Sequence, residues 1–124
     1  MAEEVLEESL YVRKGLGEAI CKALAKEGRK LGFSANELPD ISWESADFSV
    51  TKDPSDGQEC LAGDWKDSRG GRVGSIQFNS DGSFYAEYDI VKSHPTDSRW
   101  FVEAVTAWGR DNNIKTEPRL LAAV

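Results

Sequence analysis

At 124 residues, 40% hydrophobic and with four Trp, three Tyr and five Phe, the chain suits one domain over residues 1–124 with a real core and is too short for two. No apolar run approaches the ~20 residues that span a bilayer, and the opening MAEEVLEESL is acidic where a signal peptide is basic and then apolar, so a soluble, cytoplasmic protein is expected. A net charge of -7 repels phosphate backbones, and with no basic stripe interleaved with aromatics it points away from nucleic acid and toward a protein partner with a basic surface.

From Val5 to Leu31, the apolar residues Leu6, Leu10, Leu16, Ile20, Ala23, Leu24 and Leu31 recur mostly three or four apart, the spacing of one helix face. Gly15 and Gly17 weaken the middle by about 1 kcal/mol each relative to Ala, so a bend or a division into two pieces is expected there. Gly32 suits the left-handed position beyond the helix end, with Arg29 and Lys30 favourably placed in the last turn. FSANELPD is a connector, and Pro39 stops any further helix.

Four strands are predicted next, at 41–51, 58–66, 72–79 and 83–91, separated by the turn-rich KDPSDG, KDSRGG and SDG. Links this short join antiparallel neighbours, which makes a meander. SHPTDSRWFVEAVTAWGRDNN then reads as a helix that starts near Pro95 or Asp97, capped by Thr96 or Ser93, and ends by Asn112 or Asn113. Phe101, Val102, Val105 and Trp108 form its apolar stripe, and the tail IKTEPRLLAAV is compatible with an extra strand or a short helix. The expected fold is α+β: an N-terminal helix, a four-stranded antiparallel meander and a C-terminal helix, both helices on one face of the sheet.

The Asp81-Gly82 pair allows two registers. A two-residue turn sets Ile76 opposite Glu87 and Gln77 opposite Ala86, mixing apolar with polar groups. A three-residue loop Ser80-Asp81-Gly82, with Gly82 at positive φ, pairs Phe78 with Phe84, Ile76 with Ala86 and Gly74 with Tyr88, so that polarity agrees throughout. Ile76, Phe78, Phe84 and Tyr88 then point inward. Turns centred on Pro54-Ser55 and Ser68-Arg69 align Phe48, Leu61 and Ile76, and place Ala46, Gly63, Gly74 and Tyr88 in one row. Small residues on three strands of that row would admit a helix backbone closely; bulges at Gly63 and Gly74 are the other reading. Ile41 and Trp43 are out of phase with Ala46, Phe48 and Val50, which implies a bulge near Glu44 or a late strand start.

The opposite face gathers Asp47, Asp64, Glu87 and Asp89 around Tyr85, with no Lys or Arg. It lies in the segment that holds the charge excess: residues 40–97 carry twelve acids against five bases, residues 1–39 seven against six and residues 98–124 three against four. Such a face is either an ordinary solvated surface or a docking surface for a basic partner.

Chemistry-bearing residues are sparse. His94 is the only histidine, and SHP is also an ordinary turn ahead of a helix. Cys21 and Cys60 form no CxxC, and neither is expected near enough to His94 for a thiolate–imidazole pair, so both are read as reduced thiols. DPSDGQE and NSDGS lack the full ligand series of a calcium loop, and RGGRVG lacks the Lys of a phosphate loop. Asp64, Glu87 or Asp89 could supply a carboxylate pair for glycoside hydrolysis, but four acids on a face are a charge pattern first.

No metal and no cofactor is expected, and a noncatalytic protein-binding module leads. The expected layout in a small acidic chain resembles bacterial immunity proteins and secretion chaperones, which mask basic or hydrophobic partners; no motif carries that likeness. The alternative is a small enzyme or ligand-binding protein with a pocket between sheet and helices lined by Trp43, Trp65, Tyr88, His94 and Trp100. Self-association through a sheet face or edge is a third reading.

Overall fold

The computed structural model describes residues 2–38, 41–52 and 57–123, with side chains from Leu6 onward in the first helix, and contains one helix laid across one antiparallel sheet. Helix α1 spans Ala2–Lys30, and β1 (Asp47–Lys52), β2 (Glu59–Lys66), β3 (Arg72–Phe78), β4 (Ser83–Ser93), β5 (Trp100–Arg110) and β6 (Asn113–Ala122) follow as a six-stranded meander in sequence order. The chain is therefore α+β with an antiparallel sheet, but the four-stranded sheet with two helices is corrected to six strands with one. The likeness to immunity proteins and secretion chaperones rested on that layout and falls with it. No helix among the described residues is long and apolar enough to cross a membrane.

The expected second helix is strand β5. Its centre is buried on both faces, since Val102, Ala104, Val105, Thr106 and Ala107 are all covered, so no alternation marks it as a strand. A bulge at Glu103 breaks the phase, which leaves Phe101, Val102, Val105 and Trp108 at intervals that imitate a helix face. Tertiary pairing on both sides, with β4 and β6, overrides the helix-compatible Glu and Ala in this run. The tail is β6.

Helix α1 runs unbroken through both glycines. Gly17 lies against Trp43: a Cβ there would fall 2.1 Å from the ring carbon Cζ3, so glycine is what lets the indole come against the helix backbone. Ile20 and Leu24, one turn apart on that face, are fully buried. The helix ends in a Schellman motif, with Gly32 at φ 101 and the N–H groups of Phe33 and Gly32 donating to the carbonyls of Gly28 and Arg29 at 3.4 and 3.0 Å. At ~1.5 Å per residue a helix of 29 residues is ~43 Å long. Its backbone comes near β1 and β2 and near β4 to β6, so the sheet curls around it while β3 stands off. The gap over β3 is filled by rings: Trp43 and Phe78 centroids are 6.0 Å apart, and Phe78 and Phe84 6.4 Å.

The β3–β4 hairpin has the register read from the sequence: Phe78 pairs with Phe84, Ile76 with Ala86 and Gly74 with Tyr88, and Gly82 turns at φ 89. The β1–β2 and β2–β3 registers are each displaced by two residues from the expected ones, with Phe48 opposite Gly63, Leu61 opposite Phe78 and Trp65 opposite Gly74. In β2–β3 one residue comes from a longer loop closed by Asp67 and Gly71, and one from a bulge beyond Trp65. Two single steps restore the parity, so the inward set keeps its face. The expected centre of the first turn, Pro54-Ser55, lies outside the described residues.

The row of small residues does not exist. Instead Gly63 sits under a ring of the neighbouring strand, where a Cβ would meet Phe48 Cδ1 at 2.6 Å, and Gly74 is hemmed in by backbone as well as a ring, a Cβ there meeting the Glu87 carbonyl oxygen at 2.5 Å and Trp65 Cε3 at 3.1 Å. Strand β1 starts late, after a turn in which Ser42 and Ser45 exchange hydrogen bonds, and the Ser42 carbonyl accepts from Trp65 Nε1 at 2.8 Å.

Candidate interaction face

Because the one helix covers one side, no other described element packs on the far side of the sheet, although Ala104 and Thr106 of β5 are themselves buried there. One residue from each strand forms a transverse row, Asp47, Asp64, Ser75, Glu87, Thr106 and Glu117. Beside it runs Ser49, Ala62, Gln77, Tyr85, Trp108 and Lys115, and Asp89 continues through Ala104 to Arg119. The structure thus places Asp47, Asp64, Tyr85, Glu87 and Asp89 on one face.

The expectation of a face without Lys or Arg is corrected. The bulge opposite Lys66 turns Arg72 onto this side, where its Nη2 donates to Ser75 Oγ at 2.9 Å, lies 3.6 Å from Glu87 Oε2, and its Nε lies 3.9 Å from Asp64 Oδ1. Arg119 reaches Glu87 from β6, Nη1 to Oε1 3.5 Å. Glu87 is held between two guanidinium groups and is the least exposed carboxylate of the network, whereas Asp47, Asp89 and Glu117 make no ion pair among the described residues. Arg119, Lys115, Glu117 and Trp108 belong to strands the sequence reading left as helix and tail. The alternation of Ile114, Thr116 and Pro118 with Lys115, Glu117 and Arg119 is the signal that could have found three of them.

At the centre lies a shallow depression of about 290 Å3, floored by Ala62 and Ser75 and rimmed by Asp64, Arg72, Gln77 and Tyr85. Tyr85 is 43% exposed beside it. Partial burial raises its phenol above the ordinary range, and Glu87 adds to this, so it stays a neutral donor and acceptor.

The aromatic set divides. Trp43, Trp65 and Tyr88 are buried in the core beneath the helix, where they fill the space between the layers. His94 and Trp100 lie apart, in and after the β4–β5 connection. His94 Nδ1 accepts the backbone N–H groups of Thr96 and Asp97 at 3.2 and 2.9 Å, and the His94 backbone N–H donates to the Trp100 carbonyl at 3.0 Å. The imidazole therefore organises a turn. Cys21 lies on the buried face of α1, and burial first, with Glu44 and Glu18 after it, pushes its thiol up to about 11, which leaves almost no thiolate at neutral pH. Cys60 is buried on β2 with Sγ 3.7 Å from Asn79 Oδ1, and Cys21 and Cys60 form no disulfide. No group of His, Cys, Asp and Glu suited to a metal ion occurs among the described residues.

Comparison with protein-family models, with curated proteins and with solved structures gave no match to this chain.

Proposed function

We propose that the protein is a noncatalytic protein-binding module whose open sheet face receives a partner with a basic surface. The observation that supports this reading is the one-sidedness of the fold: the single helix covers one side of the sheet, and the other carries a row of carboxylates, a half-exposed tyrosine and a shallow depression. Asp47, Asp89 and Glu117 are not neutralised within the described residues, and Asp64 is held only at 3.9 Å, so cationic side chains of a partner gain attraction there at little internal cost. Glu87 plays a different part. By fixing Arg72 and Arg119 it orders the face, and charge at Glu87 is therefore left intact in the test.

A face is favoured over an edge. Strand β6, one of the two edges, contains Pro118, which has no N–H to offer an added strand.

The test is the triple reversal Asp47→Lys, Asp64→Lys and Asp89→Lys, assayed by fluorescence anisotropy with a labelled decapeptide of alternating Lys and Ala, and by capture from the native host. The original chain is expected to bind the peptide in a salt-sensitive way, and the variant at least about tenfold more weakly. All three sites are surface positions, so the unfolding free energy should move by no more than about 0.5 kcal/mol per site. Equal binding by both proteins would remove the basis for the proposal.

A further inference from the structure

On the helix side of the sheet, remote from the open face, a cleft of about 530 Å3 lies between the middle of α1 and the tips of the β3–β4 and β5–β6 hairpins. Val12 and Leu16 form the helix wall, and Phe78, itself 1% exposed, borders the cleft beneath the Arg13 guanidinium. Gly15 opens the cleft, since a Cβ there would meet nothing within 4 Å. The volume falls in the range of small-molecule sites, roughly 300–1,000 Å3.

Opposite charges face this space from different elements. On the helix, the Arg13 guanidinium sits 5.4 Å from the centroid of the Phe78 ring and uses one N–H on the Asn79 carbonyl at 3.4 Å, which fixes it in place with further donors to spare. On the hairpin, Asp111 takes a left-handed φ of 55, and its N–H donates to the Gly82 carbonyl at 2.9 Å. Glycine would adopt that conformation without strain. A carboxylate stands there instead, and Gly82 makes room for it: a Cβ on Gly82 would come within 2.6 Å of Asp111 Oδ1. Neither Arg13 nor Asp111 forms an ion pair among the described residues.

A cation on one wall, an anion on the other and hydrocarbon between them complement a molecule with the same arrangement inverted. We propose that this cleft binds a short zwitterionic peptide with apolar side chains, its carboxylate against Arg13, its ammonium against Asp111 and its hydrocarbon against Val12 and Leu16. Two termini on opposite ends match two charges on opposite walls. Charge-assisted hydrogen bonds at each end give orientation, and the apolar walls give most of the contact area.

Calorimetric titration with leucyl-leucine tests this. Saturable binding with a Kd below about 1 mM is expected, and blocking either end, in N-acetyl-leucyl-leucine or leucyl-leucine amide, should weaken it about tenfold. Arg13→Gln should lose the response to C-terminal amidation and keep the response to N-acetylation, while Asp111→Gly should do the reverse. Gly15→Leu fills the cleft and abolishes binding; because Leu is the better helix former, its melting temperature should hold or rise, which separates a filled site from an unfolded one. The triple reversal on the open face should leave leucyl-leucine binding unchanged, so the two proposals fail independently. No saturable heat at ~10 mM peptide, far above the expected Kd, overturns this proposal, as do equal affinity for the blocked peptides and unchanged binding by Gly15→Leu.

Discussion

The two sides of the sheet are built from alternate residues of the same strands, yet they obey different rules. On the helix side, fit decides: Phe48 covers Gly63, Trp65 covers Gly74 and Trp43 covers Gly17, each ring matched to a residue that lacks a side chain. On the open side, charge decides, and Glu87 is shared by Arg72 and Arg119 with contacts of 3.6 and 3.5 Å. Close-packed rings tolerate little change in volume, whereas exposed ion pairs contribute at most about 1 kcal/mol and tolerate a great deal. Substitutions on the far side of the sheet therefore endanger the fold less than substitutions among the rings under the helix.

The sharpest way to break this contrast is to delete one ring from each side. Phe78, 1% exposed, and Tyr85, 43% exposed, lie on neighbouring strands. Phe78→Ala should cost about 3–5 kcal/mol in urea denaturation, the usual loss for a buried phenylalanine, while Tyr85→Ala should cost less than about 1 kcal/mol. Comparable losses at the two positions would mean that the open face is covered in the folded protein.

Two glycines two residues apart in α1 carry the next contrast. Changing either to Ala gains about 1 kcal/mol of helix propensity. Gly15→Ala meets nothing and should keep that gain, whereas Gly17→Ala drives a methyl group into Trp43 and should lose about 1–3 kcal/mol to overpacking before the gain is counted. Gly15→Ala should raise the melting temperature, and Gly17→Ala should leave it unchanged or lower it. On the edge of the same contrast, Val91 is 61% exposed with a φ of 48, a strained setting for a β-branched residue at the β4 bulge. Val91→Gly should raise stability by about 1 kcal/mol through relief of that strain, less the strand propensity of valine.

How far the sequence reveals this arrangement depends on how many faces of a strand are wet. Strands β3 and β4 have one dry and one wet face, and the polarity of Phe78–Phe84 and Ile76–Ala86 against Gln77 and Glu87 selects their register. The inward set on β2 is legible for a weaker reason, because a longer loop and a bulge displace its register by one residue each and the two steps preserve parity. Strand β5 is dry on both sides through Val102, Ala104, Val105, Thr106 and Ala107, so alternation vanishes and a helical spacing is read in its place. The open face is legible to the same extent. Its carboxylates on β1, β2 and β4 can be read from the sequence, while Arg72 depends on a bulge, Trp108 on a strand whose two dry faces hide its alternation, and Glu117 and Arg119 on a tail whose alternation the sequence carries only over Ile114 to Arg119.

The smallest effect concerns protons, and it carries the same contrast between wet and dry groups. Cys21, dry, is pushed up to about 11 by burial. Asp97, in the exposed turn after His94, is held down to about 2: its carboxylate accepts Nε and Nη2 of Arg99, each at 3.0 Å, as well as the Arg99 backbone N–H. For Asp97 the folded value lies below the unfolded 3.8, so its contribution to stability is present above about pH 4 and is lost as pH falls through about 2. For Cys21 the folded value lies above the unfolded 9.0, so its contribution is present below pH 9 and is lost as pH rises through about 11. A carboxyl-carbon NMR titration should give an Asp97 midpoint near 2 in the original chain. Arg99→Ala should move that midpoint only part of the way back toward 3.8, because the backbone donor at residue 99 remains. A midpoint near 4 in the original chain would show that this turn is not formed in solution. His94 would then lack the two amide donors that define its place, while the core under the helix would be untouched.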